Sequence, residues 1–345
     1  MLEKEVDCGF ALVRPPGHHA MRVVHGSRGF CNINNEAIMI EHMRQTYGVD
    51  RVAVVDTDCH HGDGTQNIYW HDPDTLFISL HQDGRTLYPG SGSTREIGGP
   101  NALGASVNIP LPPKTSEEGF LYVVDRVVLP ILAEFKPEII INSAGQDNHY
   151  SDPITQMNFC AQGYAKLTDR LKPHIAVLEG GYSIEGALPY VNVGIILALA
   201  GVDYSYVREP DYDPEEISQT GEVRDLIVNT CEKLLQERQD IDSKRKKYLE
   251  GKEFVRRSKT IFYDTDNIIE EQKETIRVCG ECAGVLRIAY SASTKNHLLG
   301  VQIPRKSCST CQEIGREWFE EGNVARFNLV CLQDRVTDEY QVKRR

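Results

Sequence analysis

The sequence contains no run that approaches the ~20 consecutive apolar residues a helix needs to span a bilayer. Its most apolar segment, Val193 to Gly201, is about half that length and reads as a buried helix. The chain opens Met-Leu-Glu-Lys-Glu-Val-Asp-Cys-Gly-Phe, without the basic and then apolar pattern of a secretory signal. Cysteine is too sparse for a disulfide scaffold, with ten in 345 residues. Four of the ten fall in two Cys-x-x-Cys pairs, which points to a reducing cytoplasm and to metal binding. Excess positive charge is missing as well. A net charge of −12 excludes a nucleic-acid footprint spread over the whole protein. Beyond its ordinary role in solubility, that charge favours cationic substrates such as a lysine-rich segment or a polyamine. There is no internal repeat and no low-complexity tract.

What is present suits a chain that buries a core and divides more readily into two domains than one: 40% hydrophobic and 26% charged residues over 345 positions. Short β-branched runs at 51–55, 75–79, 138–142 and 175–178 end in polar or glycine residues. Runs apolar on both faces suit strands of a covered parallel sheet. Helical patterns separate them at 34–47, 116–135 and 160–171, so the expected architecture is an open α/β sheet with helices on both faces. In such sheets functional groups gather just beyond the carboxyl ends of the strands. Residues 213–252 read as one long amphipathic helix carrying a basic run, Lys244 to Lys247. Strand-like pieces resume after it, placing a boundary near 250–258.

The strand at 51–55 runs into Asp56-Thr-Asp-Cys-His-His-Gly-Asp63. On an extended chain Asp56, Asp58 and His60 share a face, and a carboxylate beside an imidazole suits zinc or a similar divalent ion. Six ionisable groups in these eight positions would be costly beside a buried strand without a cation. The strand at 138–142 leads to Asp147, His149 and Asp152, among which spacing does not choose a third ligand. Arg14-Pro-Pro-Gly-His18-His19 sets paired histidines after a rigid turn, suited to acid–base work near neutral pH. Tyr182, after Glu179-Gly-Gly, can donate to a developing oxyanion, although a tyrosine packed in a turn would look the same.

Together with Gly-Phe-Cys-Asn-Ile-Asn-Asn at 29–35, these blocks resemble the histone deacetylase / acetylpolyamine amidohydrolase family of zinc hydrolases, in the style of its second class, over residues 9 to about 245. The resemblance implies the arginase/deacetylase-like fold and a catalytic zinc on Asp58, His60 and Asp152, with Asp147 and His149 in support. It implies His18 and His19 as the catalytic pair, oriented by Asp56 and Asp63, and Tyr182 as the group that polarises the carbonyl. Gly29, Phe30 and Tyr88 would line an acyl-lysine tunnel, and Asp56, Asp58, His60, Ser79 and Leu80 a potassium site. The expected reaction is hydrolysis of acetyl-lysine in proteins or of acetylated polyamines, with no membrane involved. Family members carry a longer segment ahead of the Arg-Pro-Pro-Gly-His-His block, so the sheet is expected to lack an outer strand here. The alternative is a silent scaffold.

Cys279-Gly-Glu-Cys282 and Cys308-Ser-Thr-Cys311 form two knuckles that together close a four-thiolate structural zinc site in a zinc-ribbon-like domain over 256–345. Val285 to Val301 reads as a hairpin between them. Arg256, Arg257, Lys295, Arg305 and Lys306 suggest that this domain contacts a protein or a nucleic acid.

Overall fold

Strand β2, Val52–Asp56, is buried at all five positions, which requires cover on both faces of its sheet. The computed structural model, which describes residues 1–345, shows that cover. Val52 and Val54 pack with Ala37, Ile40 and Met43 of helix α1 (Asn35–Tyr47) and Tyr69 of α2 (Asp63–Tyr69). Ala53 and Val55 face the other way, into a core shared with α3 (Glu117–Val123), a π-turn (Val124–Val128) and α5 (Ala161–Leu171). The π-turn runs straight into α4 (Leu129–Phe135), so the pattern at 116–135 is one continuous helical rod.

The remaining strands of this sheet are β1 (Gly9–Ala11), β3 (Thr75–Gln82), β4 (Ser106–Leu111), β5 (Ile139–Ala144) and β6 (Ile175–Leu178). All are parallel, in the order β1-β6-β5-β2-β3-β4, with Val52 opposite Thr75 on one side and Ile139 on the other. The expected open parallel sheet is therefore observed. Two expectations about helices fail. The apolar segment at 193–201 lies in α6 (Leu188–Leu199), which leaves Val193 and Ile196 nearly half exposed, because only one stripe of the helix meets the core. The single helix expected over 213–252 is two. Thr220 starts α7 (Gly221–Gln239), its hydroxyl accepting from Val223 N at 3.3 Å. At Asp240 the chain leaves helical geometry, and α8 (Ile241–Leu249) turns back so that Arg245 donates to the carbonyl of Asn101 at 3.0 Å.

From Phe254 a second sheet forms from β7 (Phe254–Tyr263), β8 (Ile268–Arg277), β9 (Leu286–Ala292), β10 (His297–Ile303), β11 (Leu329–Asp334) and β12 (Glu339–Arg344). Its order follows the chain, and every pair is antiparallel except β10–β11. Helix α9 (Ser309–Glu320) makes that parallel crossover and buries Cys311 and Phe319 against Val301 and Val330. The expected hairpin is β9–β10, within a sheet larger than the knuckles need. The two domains meet through buried polar groups. Glu274 of β8, paired with Lys259 of its own sheet at 3.3 Å, contacts His71 at 3.4 Å, and Glu270 contacts His25 at 3.4 Å.

Candidate active site at the carboxyl ends of four adjacent strands

The order β1-β6-β5-β2 explains why residues far apart in sequence meet. Each strand ends on the same rim of the sheet and delivers at least one group. After β1 come His18 and His19; after β6, Tyr182; after β5, Asp147; and at the end of β2 and just beyond it, Asp56, Asp58 and His60.

The two histidines are held differently. His18 Nδ1 lies 3.1 Å from Asp56 Oδ2, and His19 Nδ1 lies 2.8 Å from Asp63 Oδ1. The rings are tilted against each other with centroids 4.1 Å apart. Burial works against a charge on His18, but the carboxylates of Asp58 and Asp56 override it and raise its pKa. Burial and the neighbouring His18 lower His19 to about 4, which keeps it a neutral base near physiological pH. Glu179 anchors the turn that carries the pair, accepting Gly17 N at 2.6 Å and His18 N at 3.0 Å. Burial raises its pKa to about 7.

Asp58, His60 and Asp147 each place a ligand atom within 4.8 Å of the others. His60 Nδ1 is 2.8 Å from Asp147 Oδ2 and 3.3 Å from Asp58 Oδ1. Asp58 and Asp147 are fully buried with no lysine or arginine against them, only histidines. Burial and the charge on Asp58 push Asp147 up to about 7. Such a donor set fits a divalent cation. The backbone must come close for this: a Cβ on Gly145 would fall 2.1 Å from Asp58 Oδ2.

Here the geometry departs from the expected ligand set. Asp152 is turned toward the backbone, Oδ2 accepting Tyr182 N at 2.8 Å and Oδ1 accepting Ile154 N at 3.1 Å. It holds the turn that carries Tyr182, while Asp147 joins Asp58 and His60. His149 points elsewhere, its two ring nitrogens on Glu209 and Ser151. For the expected potassium site the geometry supplies no support: Ser79 Oγ pairs with His81 Nδ1 at 2.9 Å.

Phe30, Tyr88 and Gly29 pack beside these groups. The Phe30 ring lies 5.5 Å from Tyr182, and Tyr88 lies 5.2 Å from His19. Burial, then the charges of Asp147 and Asp58, hold the Tyr182 phenol well above its usual pKa, so it stays a proton donor. Sequence reasoning missed Arg28, whose Nε and Nη2 donate to Asp63 Oδ2 at 3.2 and 2.5 Å. It also missed Asp264, which accepts Gly29 N at 3.2 Å. Neither lies in a motif; Arg28 is marked only by its place beside Gly29-Phe30-Cys31.

The histone deacetylase domain model matches residues 1–192, more than half of the 345. The chain belongs to the histone deacetylase family. It is 50% identical over 225 residues to a probable deacetylase of Archaeoglobus fulgidus, covering 62% of this chain and 61% of that protein. A histone deacetylase-like amidohydrolase of Pseudomonas aeruginosa is 38% identical over 228 residues, covering 64% and 59%. The chain thus spans about six-tenths of these relatives' lengths. The crystal structure of the HDA15 HD domain superposes with a TM-score of 0.56 at 31% identity, covering 68% of this chain and 67% of that one.

In the second domain Cys279, Cys282, Cys308 and Cys311 bring all four sulfurs within 4.8 Å of one another. Arg277 Nη1 donates to Cys311 Sγ at 2.9 Å. Burial opposes ionisation of Cys279, yet backbone N–H groups led by that of Glu281 bring its thiol down to about 7. The basic residues expected to recognise a partner are largely engaged within the chain. Arg257 stacks on Trp70 at 4.4 Å, and Lys306 and Arg305 reach Asp50 at 2.7 and 3.7 Å. No helix is long and apolar enough to cross a membrane.

Proposed function

We propose that this chain is a zinc-dependent amidohydrolase that removes the acetyl group from acetyl-lysine in proteins or from acetylated polyamines. The observation that carries the proposal is the convergence of a buried Asp58–His60–Asp147 donor set with the carboxylate-held pair His18 and His19 and the protonated Tyr182. Asp58, His60 and Asp147 would hold the catalytic ion, which supplies Lewis acidity toward the acetyl carbonyl and the attacking water. His19, neutral and oriented by Asp63, takes the proton of that water. Tyr182 donates its O–H to the oxygen of the tetrahedral centre, a contact worth about 3 kcal/mol in comparable oxyanion holes. An imidazolium of the pair returns a proton to the amine as the C–N bond breaks, leaving acetate and a free amine. Phe30 and Tyr88 flank the acyl chain and exclude water. Cys279, Cys282, Cys308 and Cys311 would hold a second, structural zinc, a closed tetrahedral set with no open position. Ten unpaired thiols favour a reducing compartment such as the cytoplasm.

An acetyl-lysine reporter tests the reading. Turnover that disappears with chelator and with His19→Ala supports it. Activity unchanged by both refutes it, as does a zinc-loaded protein that never turns over.

A further inference from the structure

The turn between β7 and β8 lands on the loop that carries Gly29, packed against His19, and Phe30, packed against Tyr182. Both oxygens of Asp264 accept Gly29 N at 3.2 Å, and Asp266 Oδ2 accepts Ser27 N at 2.6 Å. Between these contacts sits Arg28, only 8% exposed. Its Nη1 donates to the carbonyl of Phe262 in the second domain. Its Nε and Nη2 donate to Asp63 Oδ2, and Asp63 Oδ1 holds His19 Nδ1 at 2.8 Å. The guanidinium also lies 5.4 Å from the centre of the Tyr88 ring. A planar fork divided between a carboxylate and a carbonyl has one orientation that satisfies both. The docked hairpin thus supplies one of the two acceptors that fix the guanidinium against Asp63.

We propose that Arg28 is a positioning residue through which the second domain aligns the general base, along the path Phe262 carbonyl, Arg28, Asp63, His19. The proposal rests on the deacetylase reading of His19. It assigns the Cys-bearing domain a part in the reaction, beyond recognition of a partner. The groups facing His19 are His18, Asp63, Tyr88 and His60, with His61 acting through Asp63. Of these, Asp63 and Tyr88 are touched by Arg28, and Asp63 alone is its ion-pair partner.

The test compares the full chain with Arg28→Met, Arg28→Lys and the paired change Asp264→Asn with Asp266→Asn, all zinc-loaded. Arg28→Met is expected to lower kcat about 10–100-fold, as losses of such supporting partners do, with KM within about twofold. Removing the cation makes Asp63 more basic and, through it, His19, so the acidic limb of kcat/KM moves to higher pH. Lys restores the charge without the fork, so the limb returns toward wild type while kcat recovers only in part. The Asp264/Asp266 change leaves Asp63 untouched but loosens the hairpin, and should reproduce part of the kcat loss. A kcat loss confined to the Arg28 variants would overturn the role of the second domain. An unmoved acidic limb in folded Arg28→Met would overturn the role of Arg28. If Arg28→Met does not fold, Arg28→Gln, which also removes the charge, carries the same comparison. Nitrogen-15 spectra of the His19 ring report the coupling without turnover. A wild-type protein that is inactive, yet whose His19 signal shifts on Arg28→Met, refutes the deacetylase reading and leaves the coupling standing.

Discussion

The backbone of Gly29 lies against the imidazole of His19, so closely that a Cβ built on Gly29 would fall 2.3 Å from His19 Cδ2. Gly29 also has φ +52°, a conformation that favours glycine. Gly29 and the proposed base His19 are thus one packed unit. Gly29→Ala must displace the ring that Asp63 orients. Its kcat/KM is expected to fall on the order of 10²-fold, the cost of a small misplacement at a reacting centre. Steady-state kinetics on an acetyl-lysine substrate, with circular dichroism to confirm the fold, would show it.

Tyr182 is held protonated, so its contribution should be that of a neutral donor with no ionisation of its own in the working pH range. Tyr182→Phe is expected to lower kcat on the order of 10²–10³-fold. KM should change little and the shape of the pH profile should stay the same. A new basic limb in the wild-type profile that vanishes in the variant would contradict this assignment.

Metal content separates the two sites and the two candidate aspartates. Asp147→Ala should remove one equivalent of zinc and abolish turnover, whereas Asp152→Ala should keep the metal and lose activity through the Tyr182 turn. Cys308→Ser should remove the other equivalent and lower the unfolding temperature, because a structural site contributes folding energy directly. Elemental analysis of each purified variant decides among these outcomes.

Lys259 gives the domain interface a pH dependence. Burial depresses its pKa to about 8, against the partial support of Glu274. Between about pH 8 and the ordinary lysine value the unfolded chain binds more protons than the folded one, so stability rises with pH across that window. Below it, the buried ammonium is a standing cost of about 3 kcal/mol. Lys259→Met should flatten the rise, measured as urea midpoints between pH 7 and pH 10 relative to wild type.

Much of the first domain was legible because its signals are local. The runs at 52–56 and 175–178 carry apolar residues on both faces, and such strands belong in the middle of a covered sheet whatever surrounds them. Asp58 and His60 were singled out by the period of an extended chain, but the chain bends at 58–60, where Asp58 Oδ1 accepts His60 N at 2.8 Å. The break at Asp240 was not legible, because α8 turns to meet Asn101, which lies far away in the chain. Strand β1, three residues long, has too short a pattern to declare itself and is defined by pairing with β6.

The candidate chemistry was written in the residues themselves: carboxylates, imidazoles and thiolates at spacings that suit metal sites. Which carboxylate completes the set was not. Asp147 and Asp152 leave the same strand on the same loop, and both accept backbone N–H groups, Asp147 from Cys59 and Asp152 from Tyr182 and Ile154. Only Asp147 also faces His60 Nδ1, at 2.8 Å. The link from Phe262 through Arg28 to Asp63 spans more than 230 residues and exists only because two separately ordered sheets dock. Spacing carries information along a strand or a helix, where backbone geometry repeats. Across a domain interface nothing repeats, and only the packed structure decides which charge meets which.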